Sequence, residues 1–298
     1  MNTRDIIALV ELIFYIPFSL LSAFVCYRHG FSRSSGWLYT LILCVVRIIG
    51  SIFQFASHTD RSIGMLETII ILDSVGLSPL LLATLGLLSR FVDFINASST
   101  PRFTTRHFRI LQTLLFVGLI LAIVGGTSSS VDASGTYHIP TTSKAGVVLY
   151  VLGFVGLALV FFLSVPQASI IPTKERRIPL AIALALPFIF VRLIYSVLSV
   201  FVHNHLFSVA TGSSAVRVGM AVIEEFVVVA LYVLLGLFVD KLDATAKGSV
   251  ANRSRGGKEV RNARGSANNG TVDPEAQQLR DYSPPLSPLY QQTVGVSR

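Results

Sequence analysis

The chain has 298 residues, of which 52% are hydrophobic and only 13% charged, with a net charge of +8 and a mean hydropathy of +0.67. A soluble domain carries about 25% charged residues, so half that share excludes an ordinary water-soluble globule and points to lipid. Two cysteines exclude a disulfide framework; Cys26 and Cys44 fall in different apolar runs and are not expected to pair.

Seven apolar runs follow in chain order, each near the length of about 17–25 residues that crosses a bilayer. The first, at 6–27, contains Glu11 and Pro17. It exceeds the about 7–15 apolar residues of a signal peptide, only Arg4 precedes it, and it continues into Tyr27-Arg28-His29 without a small-residue cleavage site, so it is read as a retained helix. The second, at 37–57, carries Arg47 near its middle. The third, at 66–89, contains Asp73 and Pro79, with Glu67 at its outer boundary. The fourth and fifth, at 108–125 and 145–165, have no interior charge. The sixth, at 178–202, holds Pro187 and Arg192, and the seventh, at 217–239, holds Glu224 and Glu225.

The expected fold is therefore all-α: a bundle of seven transmembrane helices over residues 1–240. From 241 to 298 the chain turns to Gly, Ser, Asn, Pro and charge without apolar periodicity, and a disordered basic cytosolic tail is expected there.

Lys and Arg in the connections set the orientation. The connections 28–36, 90–109 and 166–177 hold nine of them, the alternate set four, and the tail nine more. The N-terminus is accordingly expected outside and the C-terminus in the cytosol. The sequons at Asn96, Asn252 and Asn269 then lie away from the glycosylation machinery and stay bare.

With that orientation, depth follows from a rise of about 1.5 Å per residue. Glu11 lies about 8 Å from the outer end of its helix and Asp73 about 10 Å, with Glu224 and Glu225 similarly placed. Arg47 and Arg192 reach mid-membrane. These six residues are the candidate ligand- or ion-binding set, because a charge in lipid is costly unless partnered or wetted. They imply a polar cavity or network opening outward, with two more acids than arginines. A structural alternative stays open: Arg47 with Asp73, and Arg192 with Glu224, as clamps between helices. Glu224 and Glu225 are about 100° apart on a helix and cannot share a partner.

Pro17, Pro79 and Pro187 are expected kinks, each freeing the carbonyl four residues earlier, at Ile13, Val75 and Ala183. Kinked helices around a polar core suit a protein that changes shape.

Other chemistries are excluded or unsupported. A retinal Schiff base needs a lysine in the last span, which has none. Membrane zinc hydrolases need embedded histidines, whereas His29, His58, His107, His138, His203 and His205 all fall in connections. No Ser-x-x-Lys, Gly-x-Ser-x-Gly or Walker-type loop occurs. The expectation is a protein that is not an enzyme and needs no metal or cofactor.

The expected partners are the lipid bilayer, anionic inner-leaflet lipids at the basic residues that follow the last span, and a small ligand or transported solute. Nucleic acid is not among them. Ser283, Ser287 and the Pro285–Pro288 spacing are short phosphorylation and polyproline patterns in the tail.

Two stretches carry a resemblance: Tyr27-Arg28-His29-Gly30-Phe31 with Gly36-Trp37, and Gly76-Leu77-Ser78-Pro79-Leu80-Leu81-Leu82-Ala83-Thr84-Leu85-Gly86. Together they resemble a group of fungal seven-helix integral membrane proteins defined as a domain of unknown function. The resemblance covers roughly residues 1–240; it implies the membrane fold and carries over no substrate or site. The chain is also similar, in span number and outside N-terminus, to fungal lipid-translocating exporters and seven-helix sensors. It lacks the Asp/Glu-Arg-Tyr and Asn-Pro-x-x-Tyr motifs of rhodopsin-type receptors, having Leu88-Ser89-Arg90-Phe91 at the end of span three.

The expected function is a receptor-like sensor of a small ligand, in the plasma membrane in preference to internal membranes. A transporter or lipid translocase coupled to ions or protons is the alternative, and a structural membrane scaffold the third.

Overall fold

Long apolar runs with few helix breakers satisfy their backbone internally, which is the requirement for crossing lipid. The computed structural model describes residues 3–29, 35–57, 63–98, 103–128, 130–131, 137–138, 140–170, 176–202 and 214–239. The expected tail, and the loop residues His58, His203 and His205, lie outside the described residues.

The helices are α1 (Thr3–His29), α2 (Ser35–Ala56), α3 (Ile63–Val75), α4 (Leu77–Ser98), α5 (Thr105–Thr127), α6 (Thr141–Ser164), α7 (Arg177–Phe201), α8 (Ser214–Arg217) and α9 (Ile223–Phe238). A 3₁₀ turn, Val165–Ile170, follows α6, and a π turn, Val218–Val222, joins α8 to α9. The all-α expectation holds, with one small exception. Two-residue strands, β1 (Ser130–Val131) and β2 (Tyr137–His138), pair antiparallel between α5 and α6. Among the described residues, seven stretches are long and apolar enough to span a membrane.

Span three departs from expectation in two ways. It runs Ile71–Asn96 rather than 66–89, so Arg90 is a helical residue and not part of a connection. It is also broken: α3 ends at Val75, Gly76 forms a turn, and α4 begins at Leu77. Pro79 therefore lies in the first turn of a new helix, where no N–H is required, and is not an interior kink. Pro17 and Pro187 do lie inside α1 and α7.

This interrupted span is the centre of the bundle. Of its apolar window 78% is buried, against 22–56% in the other six spans. Leu77, Leu80, Leu81, Leu85, Leu88 and Phe91 of α4 are closed off. They pack with Val228, Val229, Tyr232 and Val233 of α9, and with Leu43 and Cys44 of α2. Both cysteines are buried, and neither forms a disulfide among the described residues.

The two ends of the bundle differ. Where α9 finishes, its last carbonyls are held by side chains from the α1–α2 corner. Arg28 Nη1 donates to Leu237 O at 2.7 Å, His29 Nε2 to Gly236 O at 2.9 Å and Trp37 Nε1 to Tyr232 O at 2.9 Å. Arg28 and His29 meet acceptors that a helix C-terminus leaves unpaired, at its negative end, and Trp37 adds a second donor to a carbonyl one turn back. His29 stacks on Trp37 at 4.5 Å, and the Arg90 guanidinium lies 5.5 Å from the Trp37 ring centre. Glu11, Arg47, Asp73, Arg192, Glu224 and Glu225 lie away from this end, toward the start of α1, whereas Arg90 and Asp93 of span three are buried on the clamped side.

Candidate functional site

Four of the six sequence-identified residues meet in one ion-pair network. Arg47 of α2 grips Glu225 of α9 with one edge of its guanidinium, Nε to Oε2 at 2.7 Å and Nη2 to Oε1 at 2.6 Å. Its third nitrogen, Nη1, donates to Asp73 Oδ1 of α3 at 2.8 Å. Such bidentate, charge-assisted bonds are the strong kind. Arg192 of α7 donates from Nε to Glu225 Oε1 at 2.9 Å, from Nη1 to Ser196 Oγ at 2.9 Å, and from Nη2 to the backbone carbonyl of Asp73 at 3.2 Å.

The break in span three is what makes this arrangement possible. In a continuous helix the Asp73 carbonyl would accept from the amide four residues on; next to the turn at Gly76 it accepts from Arg192 instead. Gly76 also leaves room for the arginine. A Cβ built there would lie 2.5 Å from Arg47 Nη2 and 3.1 Å from Glu225 Oε1.

Two partners escaped the sequence reading. Tyr15 of α1 is 1% exposed and donates its hydroxyl to Glu225 Oε2 at 3.4 Å. Arg217, which the charge count placed in a connection, closes α8 and donates Nη2 to Asp73 Oδ1 at 3.3 Å. Tyr15 had a signal: four residues after Glu11, it shares that face of α1. Arg217 had none, being one more basic residue at a span boundary. Asp73 lies beside Arg217 and raises that guanidinium's hold on its proton, with burial opposing.

Glu225 is saturated. A carboxylate offers about four acceptor positions, and Arg47 twice, Arg192 and Tyr15 occupy them. Arg192 thus pairs with Glu225 and not with Glu224, which corrects the clamp expected from sequence. Glu224, 6% exposed, stays out of the network, and its Oε2 has no hydrogen-bond partner among the described residues. Both adjacent acids are buried, but only Glu225 reaches the arginines, as their angular separation requires.

Glu11 adjoins the network. It is 5% exposed, and its Oε2 accepts from Ser51 Oγ at 3.0 Å. A cavity of about 20 Å³ lies between Glu11, Arg47, Ser51, Gln54, Asp73 and Arg217, enough for about one water molecule. The expected roomy polar core is therefore a dense network with a water-sized space beside it. Counting Glu11, three acids balance Arg47, Arg192 and Arg217, so the expected acidic excess is removed within the network once Arg217 is included and Glu224, which stays outside it, is left out. No group of three or more His, Cys, Asp or Glu placed to hold a metal occurs among the described residues.

Residues 1–242 match the family model described as Domain of unknown function (DUF7702). No curated protein matched the chain.

Proposed function

The chain belongs to the DUF7702 family, and we propose that this multi-pass membrane protein is a non-enzymatic, receptor-like sensor of a small ligand, worked through its buried ion-pair network. The observation that carries the reading is that one network joins α1, α2, α3, α7, α8 and α9 at two helix irregularities, the Gly76 turn and the Val218–Val222 π turn. Charges on irregular backbone have alternative partners close by, and π turns inside helices recur at functional positions. Packed interfaces of this kind are bistable rather than continuously deformable. The other half of the bundle is filled mainly by apolar side chains, with His29, Arg90 and Asp93 buried among them, and the end of α9 is clamped. That division suits a protein that senses at one face and reports at the other.

In this reading the N-terminus is outside, the network faces the exterior of the plasma membrane of a fungal cell, and the basic tail meets anionic lipids of the inner leaflet. The ligand engages when the network opens, since the closed space holds only about one water. A screen of small molecules against the purified protein tests this: ligand-dependent thermal stabilisation without flux supports a sensor.

A second reading has its own observation. Discontinuous transmembrane helices with freed carbonyls recur in transporters at their binding sites, and span three has that form. Flux in proteoliposomes that collapses on Asp73→Asn would replace the sensor with a transporter. If neutralising Glu11, Asp73 or Glu224 costs only folding, the network is a scaffold.

A further inference from the structure

We infer that Glu11 is a proton-binding site, linked through one water molecule to Asp73 and Arg217. Glu11 differs from the other acids of the network. Glu225 has its acceptor positions filled and Asp73 is held by two guanidiniums, whereas Glu11 accepts from Ser51 and stands outside the ion pairs described above. Its carboxyl lines the cavity of about 20 Å³. A bound water needs about 10–15 Å³ and two to four polar partners; the cavity supplies the volume, and Glu11, Ser51, Gln54 and Asp73 supply the partners. The space is too small for an organic ligand. Arg47 and Arg217 both border it, which disfavours a metal cation. A proton fits.

The groups that face Glu11 define what its proton does. From α2 these are Arg47, Ser51 and Gln54, from α3 Asp73, and from α8 Arg217; Tyr15 and Glu225 come next along the network. With Glu11 ionised, the three acids and three arginines balance. A proton taken from solvent converts the Glu11 carboxylate to a neutral acid, and the set gains one net positive charge. In a poorly solvated interior that imbalance is costly. It falls on the weakest pair: Arg217 to Asp73 is the longest ion pair at 3.3 Å, and Arg217 is the most exposed partner at 19%. Protonation of Glu11 therefore loosens Arg217, and with it the start of span seven beside the π turn. That consequence rests on the sensor reading; proton binding at Glu11 does not.

The test is pH-difference infrared spectroscopy of the full-length protein in lipid nanodiscs. A carboxylic-acid carbonyl band is expected to appear as pH falls, to vanish in Glu11→Gln, to shift in Glu11→Asp, and to persist in Glu224→Gln. A band that survives Glu11→Gln, or no band in the unaltered protein, overturns the proposal. Should Glu11→Gln not fold, Ser51→Ala keeps the carboxyl and removes its hydrogen bond, and an unmoved band midpoint overturns the proposal. A protein that shows the Glu11 band but no ligand-dependent stabilisation retains the proton site and loses the sensor reading.

Discussion

At Glu225 the carboxylate is enclosed by Arg47, Arg192 and Tyr15, and both oxygens are occupied. Removing its charge strands two guanidiniums, and breaking a buried pair costs about 3–5 kcal/mol. Glu225→Gln should therefore lower stability by about 3 kcal/mol or more, read as loss of thermal stability in detergent. Glu224→Gln removes no described ion pair and should cost less than about 1 kcal/mol, the usual size of a polar contact within a membrane. The positions of the buried charges were legible in the sequence, because a charge in an apolar run stands out against its neighbours. Their pairing was not. Which of two adjacent acids faces inward depends on the rotation of α9, and the π turn before it alters that rotation without leaving a mark in the apolar pattern. Tyr15 was passed over because it carries no formal charge.

Among the elements, the interrupted third span does the most to shape the site. Gly76→Ala places a methyl group 2.5 Å from Arg47 Nη2. The guanidinium must move, and Gly76→Ala should approach Glu225→Gln in its loss of thermal stability. Pro79→Ala, in the first turn of α4, should change stability little, because that position needs no N–H donor. The place was marked by Gly76, Ser78 and Pro79, but it read as a kink and not as a break, since membrane helices tolerate Gly and Pro. At the other end, Trp37→Phe keeps most of the ring and removes the donor to Tyr232 O. Measured by the same unfolding assay, it should cost about 0.5–1.5 kcal/mol, the net worth of one hydrogen bond, because the Tyr232 carbonyl keeps its bond within α9. The two stretches that carried the family resemblance occupy these two places: the corner that clamps α9 and the turn that opens span three. The first holds the backbone of α9 through side-chain donors and the second is a turn in the backbone itself, so both motifs bear on the fold.

For the whole molecule, seven spans were legible from length and hydropathy alone, because lipid demands them. Their edges shifted by several residues at span three, where charge marked a false boundary at Arg90. Orientation remains a prediction from the Lys and Arg distribution: the full-length protein made in cells should carry no glycan at Asn96. That amide is already engaged, donating from Nδ2 to Phe103 O at 2.9 Å at the end of α4. Mobility on gels before and after glycosidase treatment checks it, and sugar at Asn96 would reverse the topology. That the six charges singled out in the apolar runs share one half of the bundle was legible in outline, since depth follows from residue number; that Arg90 and Asp93 are buried in the other half was not. How tightly the charged half closes was not, because side-chain volume in a cavity is set by the packing of six elements at once.

The central claim is that the buried charges form one coupled unit centred on Arg47 and Glu225. A double-mutant cycle of Arg47→Ala and Glu225→Ala, read by unfolding in detergent, tests it most directly. Residues in one ion-pair network couple by about 0.5–3 kcal/mol; a value in the upper half of that range is predicted for this pair, with coupling near zero for Arg47→Ala and Glu224→Ala. Additive effects at Arg47 and Glu225, or equal coupling to Glu224, would contradict the account.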